Sequence, residues 1–314
     1  MSAAKEAAPK VVVVTGASGL LGRAVTAAFT KRGDAVIPLA FTRADSDKRY
    51  TKLDLTDTAA VEAFFDKTKV DVVVHAAAER RPDVAEANPA AAERINVATS
   101  AHLGELAKKH GFTLLYISTD YVFSGRAPPY EVHHTPDPLQ MYGRQKLAGE
   151  EAVVASREGG ANSASLRVPV LFGRAEYNAE SAVNVLVDVV KDQSGKTYTM
   201  DHYQIRNPTN VDDVARVLYD LAHLTRPLPP ILHFRSTGPQ MTKWEMTQVI
   251  ARALDLPLDH VTPVSAKPET KPGQTERPWN TELSVAALEE LGVSTAEEKP
   301  FTQWWPEYLA AEHK

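Results

Sequence analysis

Hydrophobic residues near the start of the chain follow a pattern that predicts a buried strand, a tight turn and a helix. Four consecutive valines, Val11–Val14, are typical of a strand covered on both faces, as in a parallel sheet. Gly16, Gly19 and Gly22 follow at three-residue spacing, and the apolar-periodic run Ala24–Phe29 continues as a helix. Glycines here favour a turn whose backbone approaches a pyrophosphate, with the helix N-terminus facing the phosphate charge. The alternative is an ordinary strand–turn–helix connection.

The same alternation of strand-like and helical segments continues along the chain. Further strand candidates are Ala35–Phe41, Val70–Ala76, Thr113–Ser118, Ser163–Phe172 and Ile231–Phe234. Helix candidates are Thr58–Lys67, Pro89–Gly111, Gln145–Ser156, Thr242–Leu254 (with a capping box to Glu245) and Ala286–Leu291, which ends at Gly292. This order predicts an α/β fold with a Rossmann-type, doubly wound parallel sheet and a smaller C-terminal α/β substrate lobe.

The pattern also suggests a division of the chain. We expect residues 1–9 to be a disordered lead-in and residues 10–172 to form the nucleotide-binding Rossmann domain, with its sheet completed by about 208–235. The proline-rich remainder, residues 173–207 and 236–314, is expected to form the smaller substrate or partner lobe. Ligands of such folds bind at the carboxyl ends of the strands, between the lobes.

Composition narrows the function classes. The chain has 314 residues, of which 43% are hydrophobic and 24% charged, and its net charge of −5 predicts no attraction to nucleic acid or anionic membranes. The absence of cysteine excludes disulfides and thiolate chemistry. We find neither a signal peptide nor an apolar run of about 20 residues, so we expect a cytoplasmic protein.

The residue after the second strand bears on the choice of nucleotide. In this fold an acidic residue about 20 positions after the glycines often holds the ribose hydroxyls of NAD. The corresponding position is Thr42, between Phe41 and Arg43, and Arg43 could face a 2′-phosphate. We therefore expect NADP(H) to be preferred, with NAD(H) as the alternative through Asp45. Otherwise Arg43 is a solvated loop cation.

Two further segments could line a dinucleotide. Asp54 and Leu55 could bind adenine, the carboxylate at its amino group and the leucine on its face, although Asp54 could instead cap the following helix. Ala76, Ala77 and Ala78 end the third buried strand, and their small side chains would let a cofactor lie against the backbone. Tight helix–sheet packing is the alternative reason for these alanines.

A tyrosine and a lysine point to proton and hydride transfer. Tyr142 and Lys146 are four residues apart, a spacing that would place them on one face of a helix. We expect the ammonium to lower the pKa of the tyrosine, which is ordinarily near 10, and to hold a ribose hydroxyl. Thr119, at the end of the fourth strand, could bind the same substrate oxygen. Arg80 and Arg81 could bind a substrate diphosphate or simply pair with nearby acids.

Together these motifs resemble the extended short-chain dehydrogenases/reductases. The markers are the TGxxGxxG turn, the threonine of the fourth strand and YxxxK. STDYVFSG and MYGRQKLAGE are similar to the dTDP-4-dehydrorhamnose reductase-like subfamily. Closer still are the NADP-binding regulatory β-subunits of methionine adenosyltransferase, which VTGASGLLGRAV, HAAAERRPDV, MDHYQIRNPT and QMTKWEM resemble.

The resemblance implies roles for individual residues. It implies that the cofactor phosphates touch Ser18, Gly19, Leu20 and Leu21, that the adenosine phosphate lies among Phe41, Thr42 and Arg43, and that the adenine lies at Asp54 and Leu55. It further implies that the nicotinamide half is lined by Ala76, Arg80, Tyr142 and Leu171 and that the ribose is held by Lys146. The catalytic set that it implies is Thr119, Tyr142 and Lys146. The chain departs from the regulatory family in two places. An arginine pair near the adenosine phosphate is reduced to Thr42-Arg43, which should weaken the NADP preference, and the ending PEYLAAEHK is shorter than the family's aromatic, basic docking tail.

Two functions of different kinds follow. The first is an NADP-binding regulatory subunit of S-adenosylmethionine synthetase, and the second is an NADPH-dependent reductase of a nucleotide-linked 4-keto-6-deoxy sugar. A redox-sensing module without turnover is a third reading, and oligomers are compatible with each. We expect no metal site, because His133, His134 and His202 lack a second cluster with ligand spacing. Trp304 and Trp305 are expected to cap the smaller lobe.

Overall fold

The computed structural model describes residues 8–269 and 275–312. Most of the predicted lead-in, residues 1–7, therefore lies outside the described residues. The strands are β1 (Val11–Thr15), β2 (Ala35–Ala40), β3 (Thr51–Lys52), β4 (Val72–His75), β5 (Thr113–Thr119), β6 (Ser163–Val168), β7 (Leu171–Phe172), β8 (Tyr198–Asp201), β9 (Thr209–Asn210), β10 (Ile231–His233) and β11 (Val261–Val264).

The helices lie between and after the strands along the chain. They are α1 (Leu20–Lys31), α2 (Thr58–Lys67), α3 (Pro82–Ala87), α4 (Pro89–Glu93), α5 (Thr99–His110), α6 (Met141–Ala155), α7 (Leu186–Lys191), α8 (Val211–Ala222), α9 (Lys243–Leu254), α10 (Ala286–Glu290) and α11 (Phe301–Glu312). A π-helical turn over Arg94–Ala98 joins α4 to α5. The predicted helix Pro89–Gly111 is thus present, with a wider turn that its sequence did not indicate.

A parallel sheet is the centre of the molecule. Among the described residues it has seven strands in the order β10-β6-β5-β4-β1-β2-β3, and each pairing between neighbours is parallel. Val12, Val13 and Val14 are fully buried, because α1 and α8 cover one face while α2, α5 and α6 cover the other. The predicted Rossmann-type doubly wound sheet is confirmed, including the late addition of β10 at its edge.

The predicted strand Ser163–Phe172 is wrong in its extent. The main sheet keeps only β6, and β7 pairs with β9 in a separate two-stranded sheet. Pro169 lies between β6 and β7 and has no N–H to donate, so ladder pairing stops there.

The helix carrying Tyr142 and Lys146 begins four residues before its predicted start. The Gln140 side chain accepts a hydrogen bond from the Gly143 N–H at 2.9 Å and caps α6. Gly143 lies in the first turn of α6, where a Cβ would lie 2.2 Å from the Tyr121 carbonyl oxygen, so close packing requires glycine.

A second core lies beside the carboxyl end of the sheet. It contains Val187, Ile250 and Trp305 from α7, α9 and α11, and Trp304 is also buried there. Thr242 and Glu245 form the predicted capping box of α9. The tryptophan pair thus belongs to this second core, and helices α8 and α11 were not predicted.

Candidate functional site

The candidate site lies where the order in which the chain adds strands to the sheet reverses. The chain proceeds from β1 to β2 and β3 on one side and then returns to place β4 against the opposite edge of β1. The carboxyl ends of β1 and β4 therefore flank the topological switch point, where ligands of open α/β sheets bind. Gly16 follows β1 directly, and Ala76 follows β4.

Close backbone packing fixes the glycine turn. Gly16 has φ +65°, and a Cβ on it would lie 2.8 Å from Ala77 Cα. A Cβ on Gly22 would lie 2.2 Å from the Gly16 carbonyl oxygen. The Ala77 N–H also donates to Thr15 Oγ1 at 3.3 Å. Gly16 and Gly22 thus have a packing role. Ala77 has one too, and packing is the alternative reason that the sequence suggested for the three alanines.

The third glycine lies at the helix N-terminus. Gly19 precedes α1. Among the described residues, no side chain caps the N-terminus of this helix, and its first turn contains no acidic residue. The uncapped N–H groups of Leu20, Leu21 and Gly22 lie beside Ser18, so this end of α1 suits an anion. The turn therefore fits the pyrophosphate of a dinucleotide.

The predicted adenosine-phosphate residues follow β2. Phe41 is 49% exposed, and Thr42 opens a short 3₁₀ turn that carries Arg43. Arg43 donates to Glu176 and Glu180 and to the Ser18 carbonyl oxygen, so it is not the solvated loop cation that was the alternative.

The acids considered for the nucleotide lie nearby. Asp45, the acid considered for NAD, pairs with Lys52. Asp54 accepts from the backbone N–H and the hydroxyl of Thr56, at 2.9 and 2.7 Å. The helix cap of α2 is Asp57 rather than Asp54, while Leu55 is buried.

The predicted reacting residues converge on one place. Thr119 ends β5, Tyr142 lies in the first turn of α6, and the two side chains lie close together. Lys146 follows one turn later and is 2% exposed. The Thr119 hydroxyl donates to Asp120 at 3.1 Å and accepts from the Tyr121 N–H at 3.2 Å. Its single proton is thus engaged by Asp120.

The electrostatics of this pair differ from the expectation. Burial raises the pKa of Tyr142, and the neighbouring Thr119 hydroxyl offsets only part of that rise. Burial also lowers the pKa of Lys146 to about 7, against the attraction of Glu150. The Lys146 ammonium lies 4.0 Å from the centre of the Tyr116 ring. The prediction that Lys146 lowers the pKa of Tyr142 is therefore wrong for this structure, because burial is the largest cause of the shift and raises that pKa.

The remaining predicted residues lie at the margin. Arg80 is exposed and donates to the Ala179 carbonyl oxygen at 3.3 Å, and Leu171 lies in β7. Arg81 pairs with Glu79 at 2.8 Å, which was the alternative for the arginine pair. Across residues 8–269 and 275–312 no cluster of histidines and acids suits a metal, and no helix has the length and apolarity to cross a membrane.

Sequence reasoning missed several residues that shape the site. Asn96, in the π-helical turn, binds the backbone of Glu79 through both side-chain atoms, at 2.9 and 3.2 Å, and fixes the segment after β4. Asp120 binds Thr119, and burial raises its pKa to about 6. Glu180 binds two arginines near the turn. The STDY motif offered a local signal for Asp120, but nothing in sequence linked Glu180 to the turn.

Fold and turn together define an extended short-chain dehydrogenase/reductase type of α/β protein. The family model described as RmlD substrate binding domain matches residues 10–310. The methionine adenosyltransferase 2 subunit beta of Xenopus tropicalis is 44% identical over 283 residues, covering 90% of this chain and 82% of that protein. The chain thus belongs to the RmlD substrate binding domain family, within the group of methionine adenosyltransferase 2 beta subunits.

Reductases of the same family are more distant. The dTDP-4-dehydrorhamnose reductase of Mycolicibacterium smegmatis is 28% identical over 93% of this chain and 82% of its own length. The crystal structure of the Bacillus anthracis enzyme in complex with NADP superposes with a TM-score of 0.80 and 24% identity, covering 97% of this chain and 99% of that one. That likeness supports the fold.

Proposed function

We propose that this chain is an NADP(H)-binding regulatory subunit of the β type, which binds the catalytic subunit of S-adenosylmethionine synthetase. The observation that carries the proposal is the 44% identity to a methionine adenosyltransferase 2 subunit beta over 90% of the chain, against 28% to the reductase. A cytoplasmic location is part of the proposal, and so is the division into a Rossmann domain and a smaller lobe.

The cofactor part of the proposal rests on the turn and on Arg43. The glycine turn and the start of α1 would hold the pyrophosphate, and Arg43 lies at the end of β2 where a 2′-phosphate of NADP would be bound. Lys146 and Tyr142 would hold the ribose of the nicotinamide half. Fluorescence titration should give tighter binding of NADPH than of NADH.

A matched pair of variants tests the role of Arg43. Arg43→Ala should remove most of the preference for NADPH and leave NADH binding nearly unchanged, because only NADPH carries the 2′-phosphate. Arg49→Ala is the control, since Arg49 is an exposed arginine of the same loop that pairs with Asp47. Equal affinities of the wild type for the two coenzymes would contradict the NADP preference.

The partner is tested by direct binding. The chain should co-elute with the synthetase catalytic subunit on gel filtration and change the KM or kcat of S-adenosylmethionine synthesis, with a larger change when NADP is present. A reductase of the same fold that does not bind the synthetase is the control. Separate elution together with unchanged kinetics would contradict the regulatory proposal.

The contact between Thr119 and Tyr142 supports a second candidate, the NADPH-dependent reduction of a nucleotide-linked 4-keto-6-deoxy sugar. A raised pKa keeps the Tyr142 hydroxyl protonated at neutral pH, so this hydroxyl would donate its proton to the developing alkoxide oxygen. Thr119 would orient the tyrosine, because its own proton is donated to Asp120. Bound NADPH would supply the hydride.

A panel of nucleotide 4-keto sugars with NADPH separates the candidates through the loss of absorbance at the nicotinamide band. Rapid oxidation that Tyr142→Phe abolishes would favour the enzyme, because phenylalanine has no proton to give. Silence across the panel, together with NADPH binding, would favour the regulator. Normal turnover by Tyr142→Phe would contradict the proposed proton donor.

A further inference from the structure

Two glutamates from the segment after β7 face the residues proposed to bind the 2′-phosphate. Glu176 precedes a short 3₁₀ turn, Asn178–Glu180, that ends at Glu180, and both carboxylates reach Arg43. A carboxylate and a phosphate use the same hydrogen-bond donors of a guanidinium. The two acids therefore occupy the donors that a bound 2′-phosphate would need.

Glu180 is held too firmly to be displaced. Its side chain is 4% exposed and accepts from both terminal nitrogens of Arg23, at 2.9 and 2.6 Å, as well as from Arg43 at 3.0 Å. Its carboxylate also accepts from the backbone N–H of Glu176 at 2.9 Å. Burial disfavours its charge, but these hydrogen bonds hold the pKa of Glu180 below its ordinary value. Glu180 thus remains a fixed anion with Arg23 as its main partner.

Glu176 is in a weaker position. Its side chain is 43% exposed, and its shortest ion pair among the described residues is with Arg43, whose Nη1 donates to it at 2.6 Å, while Arg23 is 3.8 Å away. A partly exposed ion pair of this kind contributes little to stability and exchanges partners readily. The Arg43 guanidinium also lies over the ring of Tyr177, 5.5 Å from its centre.

We propose that Glu176 competes with the 2′-phosphate of NADP for Arg43 and so limits how strongly the chain prefers NADP to NAD. NAD has no phosphate at this position and leaves the Arg43–Glu176 pair intact. NADP must take Arg43 from Glu176 and brings its own negative charge close to the freed carboxylate. Glu176 is thus a specificity-determining residue of the proposed cofactor site, and the inference rests on the proposed NADP binding.

The direct test compares Glu176→Gln with the wild type in the binding of NADP⁺ and NAD⁺ by calorimetry. The variant should bind NADP⁺ about three- to tenfold more tightly, because a competing charge is lost, and bind NAD⁺ with an unchanged Kd. The gain should shrink as salt is raised, since the repulsion is screened. Glu105→Gln, an equal change of charge at an exposed pair with Lys108, is the control and should change neither Kd.

A double-mutant cycle connects the effect to Arg43. In an Arg43→Ala background, Glu176→Gln should give less than half of its gain, because there is no guanidinium left to compete for. If the wild type binds NADP⁺ and the Glu176→Gln variant has the same ratio of NADP⁺ affinity to NAD⁺ affinity as the wild type, this inference alone is overturned. Wild type that binds neither dinucleotide would overturn both the inference and the proposed function.

Discussion

The glycine turn and the arginine–glutamate cluster meet at Ser18, yet they are built in different ways. The turn is held by backbone packing, with potential contacts of 2.2 and 2.8 Å at Gly22 and Gly16. The cluster is held by charges, and Arg43 and Arg23 both donate to the Ser18 carbonyl oxygen, at 2.6 and 2.7 Å. Gly16 and Gly22 tolerate no added atom, whereas Glu176 of the cluster can exchange partners. Shape is therefore fixed at the proposed pyrophosphate position, and charge is adjustable at the proposed adenosine-phosphate position.

The comparison predicts that Gly22→Ala is the most damaging single substitution at the turn. The added Cβ would meet the Gly16 carbonyl oxygen at 2.2 Å, so we expect the free energy of unfolding to fall by at least about 3 kcal/mol. Urea unfolding measures this loss. Gly33→Ala is the control, since no atom of the described residues lies within 4 Å of its Cβ and only its positive φ costs about 1 kcal/mol. A smaller loss for Gly22→Ala than for the control would contradict the packing argument.

The buried acid of the cluster comes next in expected effect. Glu180→Gln would leave Arg23 facing a neutral amide in a largely buried place, so we expect a loss of about 2–3 kcal/mol in the free energy of unfolding. Chemical denaturation of the variant gives the value. Glu282→Gln, which breaks the more exposed pair with Arg235, should lose clearly less. Equal losses would indicate that burial does not strengthen the Glu180 contacts.

The residues beneath the glycine turn and those of the cluster should lose their contributions to stability over different ranges of pH. His75 binds Thr15 at 2.7 Å beneath the turn, and burial and then the Lys146 charge lower its pKa from 6.5 to about 3. The unfolded chain binds one more proton between those values, so stability falls as the pH drops from 6.5 towards 3. Between pH 7 and pH 5 we expect a loss of about 2 kcal/mol from this group.

The pH effect is measured as the difference in urea midpoint between pH 7 and pH 5. His75→Gln should reduce that difference, while the exposed His133→Gln should leave it as in the wild type. The pKa of Glu180 is below its ordinary value, so its contribution is lost only at lower pH, below about 4.5. An unchanged pH dependence in His75→Gln would contradict the assignment.

The smallest expected effect is at the exposed acid. Glu176→Gln should change the free energy of unfolding by less than about 0.5 kcal/mol, because a pair with a 43% exposed partner is largely screened by water. Thermal melting of this variant beside Glu180→Gln measures the contrast within one cluster. A loss at Glu176 as large as that at Glu180 would show that the cluster acts as a single rigid unit.

The contrast between local packing and contacts over long sequence distances explains which features the sequence could predict. The valine run, the glycine spacing and the YxxxK helix are local patterns, and the sheet and the placing of Thr119 and Tyr142 followed from them. Glu180 lies 137 residues from Arg43 and 157 from Arg23, and no local pattern links such positions. The pKa shifts of Tyr142 and Lys146 also escaped, because burial depends on the whole packed site.

The order of strands has a consequence for dissecting the molecule. The chain leaves the main sheet after β6, contributes β8 to the neighbouring small sheet, and then returns to add β10 to the main sheet beside β6. A truncation that removes the segments after β7 therefore also removes β10 from the main sheet. The main sheet cannot be excised as one continuous fragment that leaves out β8, and its dissection will depend on point variants.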